Sequence, residues 1–144
     1  MRAAVPARLG TIPSPLRFAG YAALFDRRDG GGDIVRRGAF AAALLERRGP
    51  VPLLWQHRPE IQIGTVEQLA EDERGLRVIG RIALTGSRPA GLVRQRRLTG
   101  LSFGYRARRF RTDRHGRVLQ DVELLEISLV QHPLQDGARI HLLG

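Results

Sequence analysis

The sequence predicts a β-rich α+β domain, arranged as an antiparallel β-barrel with helices on its outside. Three observations lead there. About six or seven stretches alternate or run apolar over strand lengths. Only two stretches have helical composition. Glycine- and aspartate-bearing breaks such as "RRDGGGD" and "DRHGR" separate them. At 144 residues the chain can bury one real core but not two comfortable ones, so residues 16–144 are expected to form a single domain behind a flexible arm, 1–15.

The arm, "MRAAVPARLGTIPSP", holds three prolines and no period. "LRFAGYAALFD" (16–26) is apolar and aromatic enough for a strand, and three consecutive glycines make 27–33 a loop. "RRGAFAAALLERRG" (36–49) is rich in helix formers and is stopped by Gly49-Pro50. "VPLLWQH" (51–57) fits a buried strand, and 61–84 alternates as a hairpin turning near Glu71–Gly75. A second helix is expected over 86–100, with Ser87 as N-cap and Gly100 just past its end. "LSFGYRARRFRT" and "RVLQDVELLEISLV" are strands around the turn 113–117. "HPLQDGARI" closes the chain as a loop with a last strand or turn.

Composition excludes several chemistries. The absence of cysteine removes disulfides, thiolate zinc sites and a cysteine nucleophile. No apolar run approaches the roughly 20 residues of a membrane span, and the N-terminus lacks the apolar core of a secretory signal; a soluble, intracellular protein is expected. The formal net charge is +10, and every basic residue is arginine. Such a surface favours salt-sensitive contacts with nucleic acid or an acidic protein, without naming either.

Few residues could carry a reaction. None of the four histidines forms the helical zinc-protease motif. His115 sits in a polar turn and His141 near the end of the sequence, both as surface residues. His57 ends an apolar strand, where it could be a general base or a side chain satisfied by a backbone carbonyl. Ser102 shares a strand face with Gly100 and Gly104, so the face holds one hydroxyl and no neighbouring side chains. That pattern suits a nucleophile with room for a peptide backbone, or a bulged strand. Glu126 and Ser128 are polar residues in the apolar strand "DVELLEISLV", whose Leu125, Ile127 and Leu129 share the opposite face. A buried carboxylate must be paired, and either an imidazole or an arginine could pair it.

Taken together, "GYAALFDRRDGGGDIVRRGAF", "VPLLWQHRPEIQIGTV", "GLRVIGRIAL", "LTGLSFGYRARR" and "LLEISLVQHPLQDGARI" resemble, in order, the prohead (capsid maturation) proteases of HK97-type tailed phages. That family is related to the herpesvirus assembly proteases, whose fold is a β-barrel surrounded by helices. The resemblance implies a serine endopeptidase that cleaves scaffold and major capsid protein inside an immature shell, in a bacterial cytoplasm, with no cofactor and no metal. It makes Ser102 the nucleophile, His57 the base and Glu126 the third member, with His132 as the alternative third member. It also places the loop bearing Gly137 and Arg139, with Gly100 and Gly104, at the substrate or oxyanion region. A homo-oligomer is expected, with no membrane and only non-specific nucleic-acid contact. Arg58 and Arg37 depart from the family pattern, which has an acidic residue after the histidine and a proline before "GAF". Arginine-only usage suits a GC-rich host, and prophage-derived gene transfer agents use similar proteases. The rival readings are an inactive protease-fold assembly protein and a basic nucleic-acid-binding barrel.

Overall fold

The computed structural model describes residues 16–83 and 88–143. The predicted arm 1–15 and the N-cap Ser87 lie outside the described residues. Strands β1 (Leu16–Leu24), β2 (Ile34–Val35), β3 (Pro52–Trp55), β4 (Arg58–Glu71), β5 (Gly75–Ile82), β6 (Gly100–Asp113), β7 (Gly116–Val130) and β8 (Ile140–Leu143) form one sheet. Two short helices, α1 (Ala41–Glu46) and α2 (Arg88–Arg94), complete the elements.

Two tight turns match the sequence reading and share one device. At the β4–β5 turn, Asp72 Oδ1 accepts the N–H groups of Arg74 and Gly75 at 2.8 and 3.2 Å. At the β6–β7 turn, Asp113 Oδ1 accepts those of His115 and Gly116 at 2.9 and 3.0 Å. Aspartate folds back on the following amides and so fixes each turn locally.

The expected helix over 36–49 contracts to six residues. Gly38 takes a φ of 91°, which a helix cannot continue through, and the Glu71 carboxylate accepts the N–H groups of Gly38 and Phe40, both at 2.8 Å. A carboxylate from β4 thus satisfies the helix start where no local cap residue does. The second expected helix, 86–100, ends at Arg94. Its exit is a Schellman turn: Arg96 N–H bonds Val93 O at 3.0 Å and Arg97 N–H bonds Leu92 O at 2.9 Å, with Arg96 at a φ of 59°.

The sheet runs β6–β7–β3–β4–β5–β1–β8, with β2 also lying on β7. β3 and β2 join β7 in parallel, and the other pairings are antiparallel. The expected barrel closure is not present as a ladder among the described residues. β6 and the segment before β8 meet only at the isolated bridge Gly100–Arg139, flanked by the bonds Leu101 N–H to Ala138 O and Ile140 N–H to Thr99 O. The long β6–β7 hairpin carries the sheet away from the short β8, so the two edges cannot pair along their length. Phe18, Phe40, Leu53, Leu76, Leu101, Ile127 and Leu129 fill the core.

One departure positions the site. In β7 the register passes from Gly104–Glu126 to Tyr105–Leu124, so Leu125 is an extra, bulged residue and is 43% exposed. Simple alternation would bury Leu125 with Ile127 and Leu129. The bulge instead turns Leu124 toward the core and leaves Glu126 and Ser128 on the other face.

Candidate active site

β3, β7 and β6 lie side by side, and Leu54, Ser128 and Ser102 form one row across them. The next row of the hairpin pairs Glu126 with Gly104. Directly opposite residues share a face with Cβ atoms about 4.5–5.5 Å apart. Ser102, Ser128, Glu126 and Gly104 therefore form one compact patch, while Leu101 packs into the core behind it. Ser102, Glu126 and Ser128 are the buried polar residues of the β6–β7 hairpin, and Ser128 is fully buried.

His57 reaches this patch from a turn. Trp55 pairs with Arg58, so Gln56 and His57 form a two-residue hairpin loop, with φ values of 50° and 62°. Both signs are those of a type I′ turn, which normally uses asparagine and glycine. Two non-glycine residues there cost of the order of 1–3 kcal/mol each unless held. The holding bonds come from β7 and the residue after it. Gln56 N–H donates to Leu129 O at 2.9 Å, His57 N–H donates to Ser128 Oγ at 3.0 Å, and Gln56 Oε1 accepts Gln131 N–H at 3.2 Å. The sequence reading put His57 at a strand end because "QH" gives no turn signal. The strained turn is what points its ring at β7.

The ring meets a carboxylate. His57 Nδ1 and Glu126 Oε1 are 2.5 Å apart, and Ser128 Oγ donates to Glu126 Oε2, also at 2.5 Å. Both carboxylate oxygens are engaged, so the orientation of Glu126 is determined. Hydrogen bonding through Nδ1 leaves Nε2 of the neutral ring as the acceptor. Among the described residues no arginine pairs with Glu126, and no hydrogen bond engages the Ser102 hydroxyl or joins it to His57. Ser128, which the sequence marks only as a second polar residue of that apolar strand, touches both His57 and Glu126. Its signal was its position two residues from Glu126 on the same strand face.

The glycines expected at the substrate region each lie where a side chain would meet the protein itself. A Cβ on Gly104 would lie 2.3 Å from Glu126 Oε1, and one on Gly100 would lie 2.6 Å from Val130 O and 2.8 Å from Pro133 Cδ. The space beside Ser102 is thus taken by the protein's own carboxylate and by the chain after β7. Gly137 sits against Leu24, where a Cβ would approach Cδ1 to 2.4 Å. Arg139 braces its loop, donating from Nη1 to Thr99 Oγ1 at 3.0 Å and from Nε to Asp136 O at 2.9 Å. Its own N–H donates to Gly137 O at 3.0 Å. His132 is exposed in the loop after β7, with no hydrogen bond or ion pair among the described residues. Among those residues, no group of three or more His, Asp or Glu side chains could hold a metal ion. Among the described residues, no helix is long and apolar enough to cross a membrane.

This architecture defines a class. The fold is that of the herpesvirus proteases: a Kaposi's sarcoma-associated herpesvirus protease, solved with a hexapeptide phosphonate inhibitor, matches with a TM-score of 0.64 at 16% identity, over 91% of this chain and 66% of that one. Varicella-zoster virus protease matches with a TM-score of 0.58 at 18% identity, over 90% of this chain and 64% of that one. Residues 11–143 match the model of the caudovirus prohead serine proteases, and the chain belongs to that family. The prohead protease of Enterobacteria phage HK97 is 32% identical over 130 residues, covering 85% of this chain and 58% of that protein. A capsid scaffolding protein of Suid herpesvirus 1 (strain Kaplan) is 39% identical over 61 residues, 42% of this chain and 11% of that protein. The chain thus spans little more than half of the phage relative and a small part of the herpesvirus one.

Proposed function

We propose that this chain is a serine endopeptidase that cleaves scaffold or major capsid protein inside an assembling phage or phage-like shell, within a bacterial cytoplasm and as a homo-oligomer. The observation that carries this reading is the short His57–Glu126 contact one residue row from a buried Ser102 hydroxyl that has no hydrogen bond among the described residues. Family membership supports the reaction class and the capsid setting.

In this mechanism Ser102 Oγ attacks a peptide carbonyl carbon while His57 Nε2 takes the hydroxyl proton. Glu126 accepts the Nδ1 proton, keeps the required tautomer and stabilises the imidazolium as it forms. The imidazolium proton passes to the leaving amine as the C–N bond breaks, giving an acyl-enzyme. Water, deprotonated by the same ring, then releases the acid and restores Ser102. The tetrahedral oxyanion requires N–H donors, for which the amides of residues 135–137 of the 135–140 loop, having no acceptor among the described residues, are the source. Leu101 N–H to Ala138 O ties that loop to β6 one residue from the nucleophile.

The test is labelling of purified protein with an alkyl fluorophosphonate, followed by co-expression with the cognate capsid protein and mass measurement of the products. Stoichiometric modification of Ser102, with new capsid termini that vanish in Ser102→Ala, is expected. Failure of the wild-type protein to label would favour an inactive assembly protein on the same fold.

A further inference from the structure

The net charge is concentrated in about a quarter of the chain. Residues 74–112 hold eleven arginines and no carboxylate, whereas the rest of the chain holds thirteen arginines and all fourteen acidic residues. Within that block Arg94, Arg96 and Arg97 are exposed at the end of α2, with no ion pair among the described residues. Arg96 is the anomaly. It occupies the left-handed position of the Schellman turn at a φ of 59°, the place where glycine is normally favoured. Its side chain lines a cleft of about 270 Å³ with Thr99 and His141, between apolar walls made by Val93, Leu98 and Leu142. His141 also lines a second cleft of about 220 Å³, which contains Tyr21, Arg74, Arg77 and Arg139. Arg74 lies over the Tyr21 ring at 5.3 Å. Neither cleft includes Ser102, His57 or Glu126.

We propose that these two clefts, joined at His141, form a docking surface for an acidic polypeptide segment, with Arg96 as its central anion-binding residue. The chemistry selects a peptide over a nucleic acid. The first cleft has apolar walls sized for one or two side chains, its one ring is the His141 imidazole, and the Tyr21 ring of the second cleft is covered by Arg74, so no run of open aromatic faces is offered to successive bases. The guanidinium groups of Arg96 in this cleft and of Arg74 and Arg77 in the second suit carboxylates, which they can engage bidentately. A strained backbone retained under an exposed arginine is accounted for if the side chain has a partner. The surface abuts the 135–140 loop through Arg139, so a docked acidic segment would lie close to the site without depending on its catalysis.

The test uses the full chain carrying Ser102→Ala, which separates docking from cleavage, and a fluorescein-labelled Asp/Glu-rich peptide with interspersed leucines, read by anisotropy. Arg96→Glu should weaken binding on the order of tenfold, and added salt should weaken the parent's binding as screening grows. Arg111→Glu, with the same change in net charge at the far end of β6, should weaken it less than about twofold. Arg96→Gly should lose affinity while raising the Tm by about 2–4 °C, because glycine suits the left-handed position. Equal losses for Arg96→Glu and Arg111→Glu would overturn the proposal, since net charge alone would then explain binding. Tighter binding of a single-stranded oligonucleotide of equal charge, lost with Arg96→Glu, would overturn it in favour of nucleic acid.

Discussion

Replacing Gly104 by alanine would put a methyl carbon 2.3 Å from Glu126 Oε1, 2.9 Å from its Cδ and 3.0 Å from its Cγ. An ordinary contact is about 3.5 Å, so the carboxylate must retreat by about 1 Å or swing away. Either movement breaks two hydrogen bonds that are now 2.5 Å long, to His57 and to Ser128. The fold can absorb this, because the clashing atoms are the end of a flexible side chain. Bonds to a charged group contribute about 1.5–3 kcal/mol each; with His57 42% exposed at its side chain and Glu126 resolvated after the swing, a net loss of about 1–3 kcal/mol is expected. The imidazole, however, loses the group that orients it, and fluorophosphonate labelling of Ser102 should slow by about 10²–10⁴-fold. The assay pairs that labelling rate with urea unfolding for wild type, Gly104→Ala, Glu126→Ala and the double variant. In the Glu126→Ala background the methyl group meets no carboxylate, so Gly104→Ala should cost little further in either measurement. If Gly104→Ala labels at the wild-type rate, or its effect adds fully to that of Glu126→Ala, the assigned role of Glu126 is refuted.

Three further outcomes are expected. Ser102→Ala should abolish labelling and processing yet leave the urea midpoint nearly unchanged, because its hydroxyl has no partner to lose among the described residues; surviving cleavage would exclude Ser102 as nucleophile. Ser128→Ala should remove the acceptor of His57 N–H and a donor to Glu126 together, slowing labelling by about 10–100-fold and costing about 1–3 kcal/mol in urea; unchanged labelling would show that the Gln56–His57 turn holds itself. Asp33 is buried, receives Nε and Nη2 of Arg117 at 3.1 and 2.9 Å and accepts the Tyr105 hydroxyl at 2.5 Å. The Arg117 hydrogen bonds, with Tyr105, hold the Asp33 carboxyl below its usual range against the opposing effect of burial. Its contribution to stability is therefore complete above the ordinary carboxylate range and is lost as pH falls through the depressed value. Urea unfolding from pH 7 downward should show this acid-side loss, and Asp33→Asn should flatten part of it; an unchanged slope would remove Asp33 as its source.

The site was partly legible in the sequence because its members carry local signals. A lone hydroxyl between glycines, a histidine closing an apolar run and a carboxylate inside an apolar strand are each unusual within their own few residues. Their association was not legible from spacing, since His57 and Glu126 lie 69 residues apart and meet through the parallel β3–β7 pairing. The I′ turn was hidden because glutamine and histidine do not favour it, and tertiary bonds from β7 and Gln131 impose it. The bulge at Leu125 was hidden because alternation alone would bury that residue. The missing side chain at Gly104 is plain in the sequence, but that the Glu126 carboxylate lies where its Cβ would be is not.

By itself, the sequence determined the succession of strands and turns apart from β2, the two aspartate-closed hairpins, and the concentration of arginine in 74–112. These follow from interactions within a few residues or from composition. Only the tertiary structure decided that the sheet's edges meet at a bridge instead of closing, that α1 takes its cap from Glu71, and that Glu126 orients His57 over the space left by Gly104. Each of those depends on a contact between segments far apart in the chain. Such a contact depends on register and packing, which no local pattern specifies.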